Sequence, residues 1–221
     1  MTRYLLILMM MVFGDAVSSQ TFEGSITYKI MALNPEPTMI PDSIWQQGVK
    51  SQFGDRGYML QKYHYKHANY ISEIDAGEET GFQSYDPKKG LLYSWQKDSD
   101  TAIMVNTKKE TDTLIEIYDA EQTDTIMGIP CKSIVVKSNM GEMTLWYNPD
   151  YFKMDPSYYK KHRYGHWDRI LAKIGCLPLK MEQKKFMSHI VQIMVDHKEI
   201  AVDKERFEIP KFREIIESPT N

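Results

Sequence analysis

Apolar and polar side chains alternate along most of the chain beyond residue 20. A period of two is typical of β-strands that have one face in the core and the other in water. The sequence therefore predicts a long series of antiparallel strands. The alternating segments fall at 21–30, 58–66, 69–76, 101–107, 113–121, 177–186, 188–202 and 207–212.

Turn residues divide this series into hairpins. Residues 86–90 (DPKKG) place proline and glycine where each fixes the backbone that a turn requires, with strands on both sides. Residues 124–149 predict a second hairpin. Residues 43–57 fit two structures, because Ser43 would cap a short helix whereas Gly48 and its β-favouring neighbours indicate an edge strand. We take the edge strand as the prediction for this segment.

One segment has a different period and predicts the main helix. Asp155 is suited to cap a helix and Pro156 to occupy its first position, while Gly175 is suited to end it. Four apolar side chains fall on one helical face at spacing i, i+3, i+4 and i+7: Trp167, Ile170, Leu171 and Ile174. The prediction is an α+β, mostly β fold, in which an antiparallel sheet is covered by one helix near residues 156–174.

Residues 1–19 have the three parts of a secretory signal peptide. Arg3 precedes an apolar run at 4–13, and small residues follow the run. The run is too short for a membrane-spanning helix, which requires about 20 apolar residues, and no cysteine follows it to carry a lipid. An N-terminal buried helix is the alternative. We expect cleavage near Gln20, which leaves one exported, soluble domain at 20–221, either periplasmic or secreted, without a transmembrane segment.

Composition and motifs narrow the function classes. The net charge is −3 and no run of lysine and arginine is present, which argues against a nucleic-acid partner. The chain has no Gly-x-Ser-x-Gly, His-Glu-x-x-His, phosphate-loop or dinucleotide motif. This favours a non-enzymatic protein without a cofactor. Tyrosines and lysines interleave at 58–70 and 151–164, a pattern that suits stacking against a sugar or lipid head group, or half-exposed sheet faces.

Two histidines are the strongest metal-like signal in the sequence. His162 and His166 would stand one turn apart on a helix. A zinc site needs three or four converging ligands, and Asp155, Asp168 or the histidines at 64 and 67 would have to supply the others. The alternative is that both histidines belong to a polar side of the helix that borders the apolar stripe and bind no metal. No metal site is therefore predicted, and a metal-dependent enzyme that uses His162 and His166 is kept as a second alternative function.

The chain has two cysteines, Cys131 and Cys176. Cys131 opens one strand of the hairpin at 124–149, and Cys176 directly follows the glycine that ends the predicted helix. Neither has a neighbouring base or metal ligand in sequence. Two cysteines in an exported protein commonly pair, so we predict a disulfide bond that ties the helix end to the sheet. Two separate buried thiols are the alternative.

Four short motifs lie in order between residues 124 and 212: DTIMGIPCKSIVV, TLWYNP, GCLPLKME and FEIP. They resemble the Ile-x-Gly-x-x-Cys-Lys strand, the Trp-Tyr-x-Pro strand, the Gly-Leu-Pro segment and the Phe-x-Ile-Pro ending of exported Gram-negative envelope proteins in the GLPGLI group and related families of unknown function. YDPKKGLLYSW also fits their central hairpin. The chain departs from that pattern at Cys176, which separates Gly175 from Leu177, and at Leu179, which replaces a second glycine. The subgroup therefore stays open.

The resemblance implies a lipoprotein-carrier (LolA-like) fold, a strongly curved antiparallel sheet that wraps a helix like an incomplete barrel. It also implies a binding or carrier shape and brings no established activity. We predict from this shape a binding protein whose ligand is apolar or amphipathic, such as a lipid or lipoprotein-like molecule. The concave face of the sheet would then hold the ligand, and the helix stripe would line the pocket with Trp167, Ile170, Leu171 and Ile174. The alternative is a structural or partner-binding envelope protein in which the same residues form a filled core.

Overall fold

Twelve strands and two α-helices make up most of the described chain. The computed structural model describes residues 21–77 and 79–219. The helices are α1 (Asp42–Phe53) and α2 (Trp167–Ile174). The strands are β1 (Gly24–Leu33), β2 (Met59–Lys66), β3 (Asn69–Asp75), β4 (Thr80–Asp86), β5 (Leu91–Gln96), β6 (Thr101–Asn106), β7 (Leu114–Ile126), β8 (Ile129–Ser138), β9 (Gly141–Tyr147), β10 (Lys180–Lys185), β11 (Ser188–Glu199) and β12 (Glu214–Glu217). Short 3₁₀ helices occupy Pro156–Tyr159, Tyr164–His166 and Lys204–Phe207.

All twelve strands belong to one open sheet. Their order is β12-β6-β5-β4-β3-β2-β1-β11-β10-β9-β8-β7, so β12 and β7 are the edges. Every pairing is antiparallel except that of β12 with β6. Strand β1 pairs with both β2 and β11 and joins the two runs of hairpins. The prediction of a mostly β, antiparallel fold is confirmed in this form, as a large sheet that does not close into a barrel.

The predicted edge strand at 43–57 is wrong, because most of this segment is helix α1. Asp42 lies in its first turn, and Gly54, with a φ of 69°, ends it. Two side chains four residues apart, Val49 and Phe53, are its buried positions, which is a helical spacing. Packing of that face outweighed the strand preference of the individual residues.

The predicted helix near residues 156–174 is correct only in its second half. Pro156 begins a 3₁₀ helix, and the Asp155 carboxylate accepts a hydrogen bond from the Ser157 N–H as a capping residue should. The backbone then turns through left-handed conformations at Gly165 and His166, with φ of 65° and 61°. An α-helix cannot continue through two such residues, so α2 begins at Trp167.

Two further sequence predictions have opposite outcomes. The turn at 86–90 is confirmed. The Gly90 N–H donates to the Asp86 carbonyl, and the Asp86 carboxylate accepts hydrogen bonds from the backbone N–H groups of Lys88 and Lys89. The strand predicted at 207–212 is wrong. Phe207 is the last residue of a 3₁₀ helix, and the last strand of the described chain, β12, begins only at Glu214. Pro210 has no N–H to donate to a sheet, which is consistent with this displacement.

Helix α2 packs between two hydrophobic clusters of the sheet's core. Leu171 belongs to the larger cluster, which contains Tyr28 of β1 and Leu177. Ile170 and Ile174 belong to the smaller cluster, which is built mainly from β8 and β9. The four-residue stripe of α2 therefore divides, and its members face different parts of the core.

Strand β7 is the long edge of the sheet. It pairs only with β8, and the register shifts twice along its length, between Leu114 and Glu116 and between Ala120 and Asp124. Most of its side chains are exposed or half-buried, and Ile126 is its buried residue.

The predicted signal peptide at 1–19 and its cleavage near Gln20 lie outside the described residues and stay predictions. Within residues 21–77 and 79–219, no helix combines the length and apolar content needed to cross a bilayer.

Candidate ligand-binding site

A cavity of about 120 Å³ lies between the sheet and the segment that leads into α2. We call it the inner cavity. Trp167 and Leu171 of α2, Leu177 and Leu92 form part of its wall. Six tyrosines also line it: Tyr28, Tyr63, Tyr65, Tyr70, Tyr159 and Tyr164. Its wall is thus aromatic rather than aliphatic.

Strand register explains why the tyrosines meet. Tyr63 and Tyr65 are two residues apart on β2, so they share one face of the sheet. Tyr65 lies opposite Tyr70 on β3, and Tyr70 lies opposite Tyr85 on β4. The Tyr70 and Tyr85 rings stack with centroids 5.4 Å apart, and the Tyr63 and Tyr65 rings with centroids 5.6 Å apart. Cross-strand pairs of aromatic side chains stabilise a sheet and here form one continuous aromatic surface.

The hydroxyl groups of these tyrosines differ in their partners. Tyr28 donates to the Pro178 carbonyl over 2.8 Å, and the Tyr70 hydroxyl lies 3.0 Å from His162 Nε2. The hydroxyl of Tyr159 is buried without a hydrogen-bond partner among the described residues. Burial raises the pKa of Tyr70 and Tyr159 well above the ordinary value for tyrosine. Both hydroxyls therefore keep their protons at neutral pH.

His162 is held neutral in this aromatic surrounding. Its side chain is 1% exposed, and burial lowers its pKa to about 4. The hydrogen bond between the Tyr70 hydroxyl and Nε2 of His162 takes its direction from the histidine tautomer. Contacts of the ring with backbone groups of Tyr164 and His162 partly offset this lowering of the pKa. Nδ1 makes no hydrogen bond of acceptable geometry within the described part of the chain.

A second space of about 310 Å³, the vestibule, adjoins the inner cavity and is partly open to solvent. Five residues line both spaces, and each comes from a different element of the fold: Tyr63, Tyr164, Trp167, Met181 and Gln192. The rest of the vestibule wall is mainly polar and includes Asp112, Glu142, His166, Gln183 and Lys185. The site therefore has an aromatic inner part and a polar outer part that share one wall.

His166 and Asp112 form the polar side of the vestibule. His166 Nε2 lies 2.8 Å from Asp112 Oδ1, within ion-pair distance, although the alignment does not meet hydrogen-bond geometry. Both side chains are largely buried, with 5% and 11% exposed. The left-handed backbone of His166, which delays the start of the predicted helix to Trp167, places this ring in the vestibule wall.

Two of the four apolar residues of the α2 stripe line the inner cavity. Trp167 and Leu171 line the cavity, as expected. Ile170 and Ile174 do not, because they pack in the smaller hydrophobic cluster with Ile134 and Leu145. Their assignment to the pocket is therefore corrected. The reason is that α2 packs between the two clusters, so its four apolar residues do not all face one space.

The histidine pair is divided between two partners. His162 contacts Tyr70, and His166 lies beside Asp112. Among the described residues, no group of three or more His, Cys, Asp and Glu side chains is placed to hold a metal ion. The structure thus adds no third ligand to the pair.

Cys131 and Cys176 are buried free thiols in this structure, with no bond between them. The Cys131 thiol donates to the Ile129 carbonyl over 3.3 Å. Burial raises the pKa of Cys176 to about 12, and the neighbouring Cys131 thiol adds to this shift. Burial also raises the pKa of Cys131, with a further contribution from the Asp124 carboxylate. The predicted disulfide bond stays a prediction.

Oxidised, exported protein is expected to contain the Cys131–Cys176 cross-link. The bond would close a loop of about 45 residues and stabilise the fold by roughly 4 kcal/mol in the chain-entropy description. Non-reducing peptide mapping checks this. Two thiols that both react with an alkylating agent after unfolding, in protein taken from the periplasm, would contradict it.

Sequence reasoning did not assign the tyrosines or Asp112 to a site. A signal for the tyrosines was present, because Tyr63, Tyr65 and Tyr70 lie in the segment that interleaves tyrosine and lysine. Asp112 lies in the loop between β6 and β7, and nothing in its local sequence indicated that it would meet His166.

No protein-family model matches the chain, and no curated protein sequence matches it. Among solved structures, the chain is similar to PNGF-II in two crystal forms, with 14% identity and TM-scores of 0.48 and 0.45. These matches cover 90% of this chain but only 32% and 31% of PNGF-II. An uncharacterized conserved protein from Thermus thermophilus has 7% identity and a TM-score of 0.46, over 89% of this chain and 91% of that protein.

Proposed function

We propose that this protein is an exported, non-enzymatic binding protein for a small apolar or amphipathic molecule. The apolar part of the ligand occupies the inner cavity, and its polar part lies in the vestibule. The observation that carries this proposal is the wall of five residues that line both spaces. A ligand with two chemically different ends suits a site with an aromatic inner part and a polar outer part.

The dimensions support a compact ligand over a long acyl chain. Pockets for drug-sized ligands have volumes of about 300–1,000 Å³, a range that includes the vestibule of about 310 Å³ but not the inner cavity of about 120 Å³. A dry engineered cavity of about 150 Å³ is known to bind benzene. The inner cavity therefore suits a single ring.

Export and the carrier-like fold remain part of the proposal. They rest on the signal-like residues 1–19 and on the motif resemblance to the GLPGLI group and its LolA-like fold. The filled-core alternative makes the opposite claim, that the inner cavity has no occupant.

Native mass spectrometry of protein isolated from its own envelope tests the proposal. We expect a second species, heavier than the polypeptide by the mass of a small molecule, that disappears after extraction with organic solvent. A phospholipid in the extract would favour the larger ligand that the fold resemblance suggests. The bare polypeptide mass in every preparation would favour the filled core.

Trp167 provides an optical test, because it lies in the wall shared by both spaces. Binding of a single-ring aromatic probe is expected to change tryptophan fluorescence, and Trp167→Phe is expected to remove most of this change. Trp45→Phe is the matched control, since Trp45 is half-buried in α1 and donates to the Ala32 carbonyl. An equal loss of signal in both variants would contradict the location of the site.

The export prediction has a direct measurement. The secreted or periplasmic protein should begin near Gln20, because the short apolar run ends in small residues. Intact-mass analysis of the purified protein gives the N-terminus. A mass that includes residues 1–19 would contradict the signal peptide.

A further inference from the structure

Strand β10 gives the vestibule a wall of graded polarity. Met181, Gln183 and Lys185 line the vestibule, whereas Glu182 and Lys184 between them do not. Successive side chains of a strand point to opposite faces of the sheet, so it is the side chains at 181, 183 and 185 that form this wall. Along β10 the wall therefore changes from an apolar group to an uncharged amide and then to a cation.

Gln183 and Gln192 bring two amide groups to the wall. Gln192 of β11 lies opposite Met181, and Gln183 is two residues further along β10 on the same face. Both side chains are half-buried. Neither amide forms a hydrogen bond with another described residue, and neither belongs to the fully buried polar groups of the described chain. Both amides therefore reach open space, where each offers N–H donors and a carbonyl acceptor.

Trp167 adds an aromatic ring and one more donor. Its side chain is half-buried and lines both spaces. The indole N–H has no acceptor among the described residues and is not fully buried. Gly165, which also lines the vestibule, has no side chain, and a Cβ there would lie 3.6 Å from Cδ1 and 3.7 Å from Nε1 of the indole. The glycine thus leaves this edge of the ring uncovered.

The charged groups of the vestibule have both signs. The Asp112 and Glu142 carboxylates and the Lys185 ammonium line it. An anionic ligand group would meet the two carboxylates. A cationic group would meet Lys185, and the carboxylates that could balance its charge already lie beside His166 and Lys137. A neutral polar group avoids both repulsions.

Hydroxyl groups match this combination of wall groups. The indole N–H and Lys185 are donors, the two carboxylates are acceptors, and the two amides are both. A hydroxyl donates and accepts hydrogen bonds, whereas an ionised phosphate only accepts and an ammonium only donates. Several hydroxyls on one ring can therefore bind all three kinds of wall group at once, while the C–H groups of that ring pack on the indole of Trp167.

We propose, building on the binding function above, that the polar part of the ligand is an uncharged sugar. The ligand is then a neutral glycoside. Its sugar lies in the vestibule against Trp167, Gln183 and Gln192, and a single apolar ring bonded to the sugar lies in the inner cavity. The volumes, about 310 Å³ for the vestibule and about 120 Å³ for the inner cavity, suit the larger, hydroxylated group outside and the smaller one inside.

Phenyl glycosides test this ligand class on the mature protein by isothermal titration calorimetry. The phenyl β-glycosides of glucose, galactose and mannose carry a sugar in three configurations. Anisole keeps the ring and the ether oxygen without a sugar, and phenyl β-glucuronide adds a carboxylate. At pH 7 the tightest of the three glycosides is expected to bind about tenfold more strongly than anisole, a difference of about 1.4 kcal/mol. The glucuronide is expected to bind about tenfold more weakly than that glycoside.

Gln183→Met tests the sugar contact, because methionine nearly keeps the length of the side chain and removes the amide. Gln183 lines the vestibule but not the inner cavity. The preference for the glycoside over anisole is therefore expected to fall to about threefold or less, while anisole binding is unchanged. Gln47→Met is the matched control. Gln47 is exposed on α1 and lines neither space, so the preference should stay at about tenfold.

The outcomes separate the two proposals. If anisole binds as tightly as every glycoside, if the glucuronide binds most tightly, or if Gln183→Met keeps the full preference while its thermal unfolding matches the wild type, the sugar is wrong and the binding function stands. The comparison of probes needs no variant, so it decides the ligand class even if Gln183→Met does not fold. If neither anisole nor any glycoside binds, both proposals fail.

Discussion

Ile170→Ala is expected to lower the free energy of unfolding by about 4 kcal/mol, the upper part of the range for large aliphatic residues replaced by alanine in a core. Ile170 is fully buried in the smaller hydrophobic cluster, where it packs with Ile134, Leu145 and Tyr147. It borders no described cavity, so its removal loses contacts on every side and leaves a new void. Urea unfolding at pH 7, followed by circular dichroism, measures the loss.

Leu171→Ala is the matched comparison at the next position of α2. Leu171 is as buried as Ile170, at 1% exposed, but it lines the inner cavity. A residue beside an existing void has fewer contacts to lose, so the expected cost is about 2 kcal/mol, the lower end of the same range. The variant should also bind larger aromatic probes. Equal costs at both positions, without a change in probe binding, would favour the filled core.

The stability of the protein is expected to fall by about 3 kcal/mol through His162 alone as the pH is lowered from 7.5 to 4. Unfolded histidine has a pKa near 6.5, whereas burial lowers the pKa of His162 in the folded state to about 4. Between these values the unfolded chain binds a proton that the folded protein excludes. The contribution is therefore fully present above pH 6.5 and is lost as the pH falls towards 4.

The measurement compares the wild type with His162→Gln by urea unfolding at several pH values. Glutamine is neutral throughout, so the difference in unfolding free energy between the two proteins should change by about 3 kcal/mol across the window. Other groups, including His64, whose pKa is also lowered by burial, contribute equally to both proteins. Parallel pH profiles would show that His162 has the same pKa in the folded and unfolded states, as a solvent-exposed ring does, and would contradict the prediction.

Periodicity predicted the strands because each strand's burial pattern is a local property of its sequence. The same reasoning failed where tertiary contacts decided the backbone. In α1, burial of Val49 and Phe53 on one helical face overrode strand preference. Before α2, the left-handed residues Gly165 and His166 divided a segment whose capping signals were otherwise correct.

The candidate site was predictable only in part. The helical stripe predicted Trp167 and Leu171 as residues of the site, because residues on one face of a helix recur at fixed spacing in the sequence. The tyrosine surface depends on the register of β2, β3 and β4, which alternation does not specify until the hairpin turns are known. The contact of Asp112 with His166 joins residues more than fifty positions apart, and local pattern carries no information about such a pair.

The long edge strand β7 bears on how this protein avoids self-association. An uncovered edge offers unpaired N–H and C=O groups on which a second molecule could extend the sheet. Four acidic residues and no basic residue occur along β7: Glu116, Asp119, Glu121 and Asp124. Asp119 and Asp124 pair with Lys173 and Lys180 of the same molecule. Two such strands laid side by side would bring the remaining charges, Glu116 and Glu121 of each strand, close together, and the two register shifts would disturb their hydrogen-bond ladder. An open twelve-stranded sheet therefore has, in β7, an acidic and irregular edge that resists growth into larger assemblies.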